Sequence, residues 1–433
     1  VGQDVQVLEP HEAPSRARKI VRRGTVIYST VRPYLLNIAI IENEYDNEAI
    51  ASTAFAIIHP YTGISNRFVY YYLRSPTFIK YVEGTMKGVA YPAINDGDFF
   101  QGVFPLPPIS EQRRIVAKID QLIARCDELE RLRAEREQKR RSVHAAALKQ
   151  LLDAQAADSI ADAWQFISRH FGDLYAVKEN VAELRKAILQ LAVMGKLVPQ
   201  NSSDPPARQL LKDIEAEKSR LWRDGKIKAS KPLPEIMPAE IPYALPKGWE
   251  WVRLGEIGVW KSGSTPSRNN NKYYGGDIPW VKSGEVKQGR IVKTEELITE
   301  LALNECSLSL NPVGSVLVAM YGANIGEVGI LDIEAATNQA VCACRTYTAF
   351  DERYLLSLIA SLKPYFISQG AGAAQPNISR EKIVATPFPL PPLPEQHRIV
   401  AKIDQLMALC DTLEQQIDAA TSKQTELLDA VMA

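Results

Sequence analysis

The sequence predicts an α+β chain: two domains of mixed α/β structure, separated by long antiparallel coiled-coil helices and related by a pseudo-twofold internal repeat. Three observations carry that prediction. One segment occurs twice almost unchanged, each copy opens a heptad-spaced apolar stripe, and the stretches between are short β-rich runs cut by Gly and Pro. Residues 104–130 read FPLPPISEQRRIVAKIDQLIARCDELE and residues 388–414 read FPLPPLPEQHRIVAKIDQLMALCDTLE, identical at 21 of 27 positions with an offset of 284. Upstream the match fades but persists. YPAIN at Tyr91 pairs with QPNIS at Gln375, and GTVIYSTVRPYLLNIAII at Gly24 resembles GSVLVAMYGANIGEVGIL at Gly314. Whole domains were duplicated, and their bodies then diverged.

Each strong repeat passes from a Pro-rich stop into Ile115, Ile119, Leu122, Cys126 and Leu129, spaced four, three, four, three, which is a heptad seam. The second copy repeats it with Ile399, Ile403, Leu406, Cys410, Leu413 and Ile417, so Cys126 and Cys410 are expected as core knobs rather than reactive thiols. The first helix is expected to run unbroken from about Ser110 to Leu152. A third stripe, Val177, Val181, Leu184, Ile188 and Leu191, ends at Gly195, Pro199, Pro205 and Pro206. Residues 200–246 are expected as a linker with one short helix around Leu210 to Trp222. WEWVRLGEIGVW, DIPWVKSGEV, GSVLVAMYG and NQAVCACR are the strand-like runs of the second domain. The expected division is therefore 1–108, first domain; 109–199, first helical spacer; 200–245, linker; 246–392, second domain; and 393–433, second spacer helix. With Gly24 set against Gly314, the counterpart of Trp249 falls about 40 residues before Val1. The first domain is thus expected to lack its front.

A chain of 433 residues exceeds what one core organises. Its 51 basic and 51 acidic residues exclude the strongly basic whole-chain signature of a nucleic-acid binder and leave local patches to decide. Five cysteines without framework spacing point to reduced thiols and a cytoplasmic location. Cys342 and Cys344 lack a second ligand pair, so an apolar role and no metal are expected. No apolar run approaches the ~18 residues of a membrane span, and the five histidines have no spacing suited to metal or nucleophile work. The tripeptide Asp204-Pro205-Pro206 is followed by Ala207, not the aromatic that would stack on a flipped base, and no GxxxxGK[ST] loop occurs. Neither catalysis nor a cofactor is assigned.

Six stretches carry a family resemblance: LPKGWEWVRLGEI from Leu245, KSGSTPS from Lys261, DIPWVKSGEV from Asp277, GAAQPNIS from Gly372, PLPPLPEQHRIVAKID from Pro389 and KAILQLAVMGKLVPQ from Lys186. On these the chain resembles the specificity subunits of type I restriction-modification enzymes. The resemblance implies two target-recognition domains, each reading one half of a bipartite duplex DNA site and held apart by helices. It also implies partners: two modification subunits that methylate adenine and two ATP-dependent restriction subunits, with no catalysis in this chain and no membrane. A helix of roughly 60 Å, at ~1.5 Å per residue, exceeds one DNA turn of ~34 Å, so spacer length becomes a specificity determinant.

Local charge agrees with DNA contact. Lys261, Arg268, Lys272, Lys282, Lys287, Arg290 and Lys293 stand against Asp277 and Glu285 within residues 261–293, and Arg16, Arg18, Lys19, Arg22, Arg23 and Arg32 have no acid among them. Basic clusters bind phosphates without regard to sequence, whereas base edges are read by polar side chains in the grooves. The expected DNA-binding residues are Arg22, Arg32 and Tyr91 in the first domain. In the second they are Lys261, Ser264, Thr265, Ser267, Arg268, Lys282, Ser283, Lys287, Tyr321, Asn324, Gln375 and Asn377. The KSGSTPS loop and residues 375–377 are expected on one surface. The basic run 131–141 alternates with Glu135 and Glu137 and is expected to be a solvated helix face. The competing reading, a coiled-coil scaffold without sequence-specific DNA binding, explains the repeated helices. It does not explain two diverged, basic, loop-rich domains attached to them.

Overall fold

In the computed structural model, which describes residues 6–9, 11–88, 90–154, 157–228, 232–370 and 376–432, the chain forms two units, 1–137 and 138–433. The first begins with strands β1 (Ala17–Val21), β2 (Val26–Ser29), β3 (Ile38–Ile40), β4 (Ala49–Ser52) and β5 (Phe55–Ile58). β1 and β4 pair antiparallel, and β2 lies between β3 and β5. Helices α1 (Asn66–Leu73), α2 (Pro76–Thr85) and α3 (Asp96–Phe100) follow, each started by a side chain that accepts a backbone N–H: Ser65, Ser75 and Asn95. Their apolar faces close over the sheet in a core of Val26, Tyr28, Val69, Leu73, Phe78 and Phe99. Helix α4 (Ile109–Asp153) then runs for 45 residues, as the sequence predicts.

The second unit contains the last part of α4 and helices α5 (Ala157–Arg169), α6 (Phe171–Leu174), α7 (Lys178–Val193), α8 (Ala207–Arg223), α9 (Glu300–Glu305), α10 (Glu352–Gln369), α11 (Arg380–Val384) and α12 (Leu393–Met432). Its strands are β6 (Glu250–Arg253), β7 (Gly258–Ser262), β8 (Tyr274–Val281), β9 (Arg290–Ile291), β10 (Glu296–Ile298), β11 (Val316–Ala319), β12 (Val328–Leu331), β13 (Ala336–Thr337), β14 (Val341–Thr346) and β15 (Pro387–Leu390). The main sheet has the order β7-β14-β11-β12-β9, and β10-β8-β13 forms a smaller one. β6 and β15 make a separate antiparallel pair. Cys342 and Cys344, on β14, are buried, and burial pushes the Cys342 thiol up to about 12. Both are core residues. The stretch expected as linker is more than a tether: α8 sinks Ala207, Leu210, Ile214 and Leu221 into the main core.

Two fastenings are built identically in both units and confirm the duplication in three dimensions. Gln112 Oε1 accepts the Ser65 backbone N–H at 2.8 Å while its Nε2 donates to the Pro107 carbonyl, and Gln396 does the same with Asp351 at 3.1 Å and Pro391. Arg67 pairs with Asp120 at 2.7 Å, and Arg353 with Asp404 at 2.5 Å. Each mixed α/β body is thereby pinned to the first turns of the long helix that follows it.

The seams of those two helices do not behave alike. α7 runs antiparallel to α12: Lys178 meets Asp418 at 2.6 Å, Arg185 meets Asp411 at 2.6 Å, and beyond the helix Asp204 meets Arg398 at 2.6 Å. Val181, Leu184, Ile188 and Leu191 of α7 thus bury Ile399, Ile403 and Cys410 of α12 in one core, which also takes Leu148 and Leu151 from the end of α4. Gly195 ends α7 at φ +69, where a Cβ would lie 2.4 Å from the Pro246 ring, so both backbone and space require glycine. On α4 Ile115 and Ile119 are half-buried and the later part of the same seam is open. Leu122 is 48% and Leu129 66% exposed, and Cys126 is exposed too. The expectation that Cys126 is a core knob is therefore overturned; Cys410 is one, because α7 covers it, and no described residue plays that part for Cys126. The basic run is solvated as expected, with Arg131 held by Glu128 and Glu135. Asp204, set aside as a catalytic residue, has a structural role in its pair with Arg398.

Candidate nucleic-acid interface

The second unit assembles its candidate residues at one end of the main sheet. β7 leaves the sheet at Ser262 opposite Cys342, β11 leaves at Ala319 opposite Val341, and β12 enters at Val328 opposite Val318. β9 enters parallel to β12, with Arg290 opposite Ile330. The loops that follow or precede these points are the ones singled out: KSGSTPS after β7, Tyr321 and Asn324 after β11, and Lys287 before β9. Tyr321 forms a bridge with Asn377, flanked by Gly322 N–H to the Pro376 carbonyl at 2.8 Å and Ile378 N–H to the Met320 carbonyl at 3.0 Å. KSGSTPS and Asn377 therefore border the same end, separated by β14 and β11. Gln375 lies outside the described residues.

Close backbone approach shapes the KSGSTPS loop. A Cβ on Gly263 would sit 2.0 Å from the Thr337 carbonyl oxygen. Ser264 N–H donates to that carbonyl at 3.0 Å, and Trp280 Nε1 donates to the Ser264 carbonyl at 3.2 Å. Lys261, Thr265 and Ser267 are exposed, whereas Ser264, Lys282, Ser283 and Asn324 are half-buried.

Two candidate cations are already engaged. Arg268 forms a two-pronged pair with Glu296, at 2.7 and 3.2 Å, and lies 4.5 Å from the Tyr274 ring centroid. Lys282 bonds Glu295 at 2.8 Å and Glu296 at 3.1 Å. Glu296 is held below the usual carboxylate range, first by Arg268, and that hydrogen bond raises the guanidinium in turn. Arg290 pairs with Asp332 at 2.6 Å. Glu295 and Glu296 lie just beyond residues 261–293, so the free charge of that stretch is smaller than its basic residues alone suggest. Lys261 and Lys287 have no ion-pair partner among the described residues.

In the first unit the structure separates residues that the sequence grouped. Arg32 follows β2 and sits beneath Tyr91, its guanidinium carbon 4.7 Å from the ring centroid. Its N–H donates to the Pro92 carbonyl at 2.8 Å, and Val31 bridges Ala93. This is the Gly322–Pro376 and Tyr321–Asn377 arrangement of the second unit, so YPAIN and QPNIS are one device used twice. Arg22 lies at the opposite end of β2, before Gly24. There an open cleft of about 560 Å³ is lined by Arg22, Arg23, Thr25, His59, Asn66 and Arg113. Arg113 and His59 were not among the expected residues; only the fold brings them beside Arg22. Lys19 is engaged by Asp96 at 2.5 Å. Among the described residues no group of His, Cys, Asp and Glu could hold a metal ion, and no helix is long and apolar enough to cross a membrane.

The family described as "Type I restriction modification DNA specificity domain" matches residues 18–137 and 246–421. The chain is 32% identical over 428 residues to the EcoAI specificity subunit of the type I restriction enzyme from Escherichia coli, spanning 94% of this chain and 71% of that one. To the EcoEI specificity subunit, also from Escherichia coli, it is 29% identical over 402 residues, spanning 88% and 67%. A chain solved for the complex assembly and conformational transition of the type I R-M system shares the fold, with a TM-score of 0.50 at 24% identity, covering 97% of this chain and 83% of its own.

Proposed function

The chain belongs to the type I restriction modification DNA specificity family, and from that membership we propose how it divides the work of reading a bipartite duplex DNA site. It is a specificity subunit: it recognises DNA, and methylation and cleavage belong to partner subunits. The observation that carries the assignment of residues is the convergence of polar loops from four strands at one end of the main sheet, with the same Pro-anchored bridge in both units. Lys261 and Lys287, exposed and without an ion-pair partner among the described residues, hold phosphates there. Ser264, Thr265, Ser267, Ser283, Tyr321, Asn324, Gln375 and Asn377 supply groove contacts, and Arg32 with Tyr91 does so in the first domain. Arg22 serves a phosphate from the other end of β2. Arg268 and Lys282 stiffen the loops through Glu295 and Glu296 before they meet DNA.

The domain division is 1–108, 109–199, 200–245, 246–392 and 393–433. Two modification and two restriction subunits complete the complex, in the cytoplasm. The test is methylation profiling of cells carrying this chain with its modification partner, beside Asn324→Ala and Asn377→Ala variants. A change in one half of the methylated site, with the other half intact, is expected. Unchanged sites in both variants would remove these residues from base reading.

A further inference from the structure

Each unit turns its backbone through the same left-handed corner after the strand that leads to the reading end, and the two corners use different residues. With Gly24 set against Gly314 the offset is 290, which places Arg32 at Gly322 and Leu36 at Gly326. Gly322 and Gly326 stand at φ +63 and +76, a region open to glycine. Arg32 and Leu36 hold the same region at φ +48 and +51, where a Cβ is crowded by the backbone. The hydrogen bonds match as well. Arg32 N–H donates to the Pro92 carbonyl and Gly322 N–H to the Pro376 carbonyl, both at 2.8 Å, while Leu35 N–H reaches the Arg32 carbonyl at 3.0 Å and Ile325 N–H the Gly322 carbonyl at 3.3 Å. A Cβ built on Gly322 meets nothing within 4 Å, so a side chain at this corner starts into open space.

Arg32 carries a second cost. Its Nε is buried with no hydrogen-bond partner, and no carboxylate pairs with its guanidinium among the described residues. What steadies the group is the Tyr91 ring, 4.7 Å away. Arg268, Arg290 and Arg353 instead turn their guanidinium groups to Glu296, Asp332 and Asp404. Both the backbone strain and the unmet Nε would vanish with a glycine, so what the arginine contributes lies outside the folded chain. We propose that Arg32 is the guanine reader of the first domain: its guanidinium donates two parallel hydrogen bonds to O6 and N7 of one guanine in the major groove, with Tyr91 holding the fork in plane. A phosphate asks for charge alone, which a lysine supplies; a fixed planar fork suits a pair of acceptors on a base edge. Gly322 has no side chain to do the same, which confines this contact to one half of the site. The inference rests on the DNA-reading assignment and deepens it.

Methylation profiling of cells carrying the chain with its modification partner tests this through Arg32→Lys and Arg32→Gly. The unchanged chain is expected to require guanine at one position of the half-site that Asn377→Ala leaves intact. Both variants are expected to relax that position about tenfold or more while the other positions keep their bases, because lysine retains the charge and loses the fork. Arg32→Gly is expected to melt at the same temperature as the original chain or higher. Where a variant methylates too little to profile, affinities of the purified complex for duplexes carrying each of the four base pairs at that position give the same reading. The proposal is overturned if both variants keep the guanine requirement, or if Arg32→Gly weakens all sites alike and Arg32→Lys does not, which is the behaviour of a phosphate contact. A markedly lower melting temperature for Arg32→Gly overturns it too, since the arginine would then serve the fold. Absence of any sequence preference in the unchanged chain defeats the DNA-reading assignment itself, and shows before a variant is made.

Discussion

Two helices that share 21 of 27 residues with their preceding segments end in different environments: α12 keeps Ile399, Ile403 and Cys410 of its seam inside a core, while α4 presents Leu122, Cys126 and Leu129 of its own to solvent. The sequence of a helix therefore specifies its capacity for burial and leaves the fact of burial to its surroundings. For α12 the deciding element is α7, with Arg185 and Lys178 aligning it. The lesson extends to the residues beside the seam, since Glu395 is nearly inaccessible and doubly hydrogen-bonded whereas Glu111 is exposed.

Matched substitutions give the largest test of this contrast. Ile403→Glu places an unpaired carboxylate in a sealed core and is expected to cost about 3–5 kcal/mol. Leu122→Glu, at an exposed site, is expected to stay within about 0.5 kcal/mol. The sequence alone predicts a severe penalty for Leu122→Glu; the exposure of the side chain removes it. Urea unfolding of both variants reads the difference directly, and equal costs would show that the α4 seam is covered in solution.

The shared glutamine fastening sharpens the comparison. Gln112→Ala or Gln396→Ala strands a backbone N–H and a carbonyl, a loss of about 1–3 kcal/mol. In the second unit the β6–β15 pair and the Tyr354 hydroxyl, which donates to the Pro389 carbonyl at 3.1 Å, hold the same junction. In the first unit residues 103–106 form no strand, and the Tyr72 hydroxyl, which donates to the Val103 carbonyl, stands in place of a strand pair. Hydrogen exchange at Ser65 and Asp351 should therefore rise much more in Gln112→Ala than in Gln396→Ala, and equal rises would mean the extra anchors are idle.

A pH effect is expected from the second unit. The Arg253 guanidinium, buried and bonded to Glu240 at 2.8 and 2.9 Å, holds the Glu240 carboxyl down to about 2. A carboxyl lowered on folding stabilises the fold above its ordinary pKa and ceases to do so as pH falls through its folded value. Glu240→Gln should therefore lower Tm at neutral pH, with the gap to the original protein closing between about pH 4.5 and 2. A gap that stays constant would assign the effect to packing rather than ionisation.

Much of this architecture is legible in the chain itself. Repeat, heptad and caps locate α4, α7 and α12 because local spacing decides a helix, and Gly or Pro punctuation locates β7, β8, β11 and β14. Contacts distant in sequence are a different matter. Nothing local tells that Glu296 will reach Arg268, that Arg22 and Arg32 leave opposite ends of one short strand, or that α8 will be drawn into the core. The bridge joining Tyr321 to Asn377 was half legible, since both residues belong to repeated motifs, but their meeting is a property of the sheet.

The smallest effect bears on the reading end itself, where free and engaged cations stand side by side. Lys261 is exposed with no ion-pair partner among the described residues, so neutralising a phosphate breaks no ion pair there. Arg268 would have to release Glu296 and leave Tyr274 before doing the same. Lys261→Ala should leave folding intact and reduce the slope of log affinity against log salt by about one unit. Arg268→Ala should hardly change that slope, although loosening the loop should weaken binding at every salt concentration alike. Glu296→Gln then becomes informative: it frees Arg268, while Lys282 keeps Glu295 at 2.8 Å, and should steepen the slope. Affinities for duplex DNA measured between about 50 and 200 mM salt distinguish the three variants. If Arg268→Ala lowers the slope as much as Lys261→Ala does, the guanidinium exchanges its carboxylate for a phosphate on binding, and the division between engaged and free cations fails.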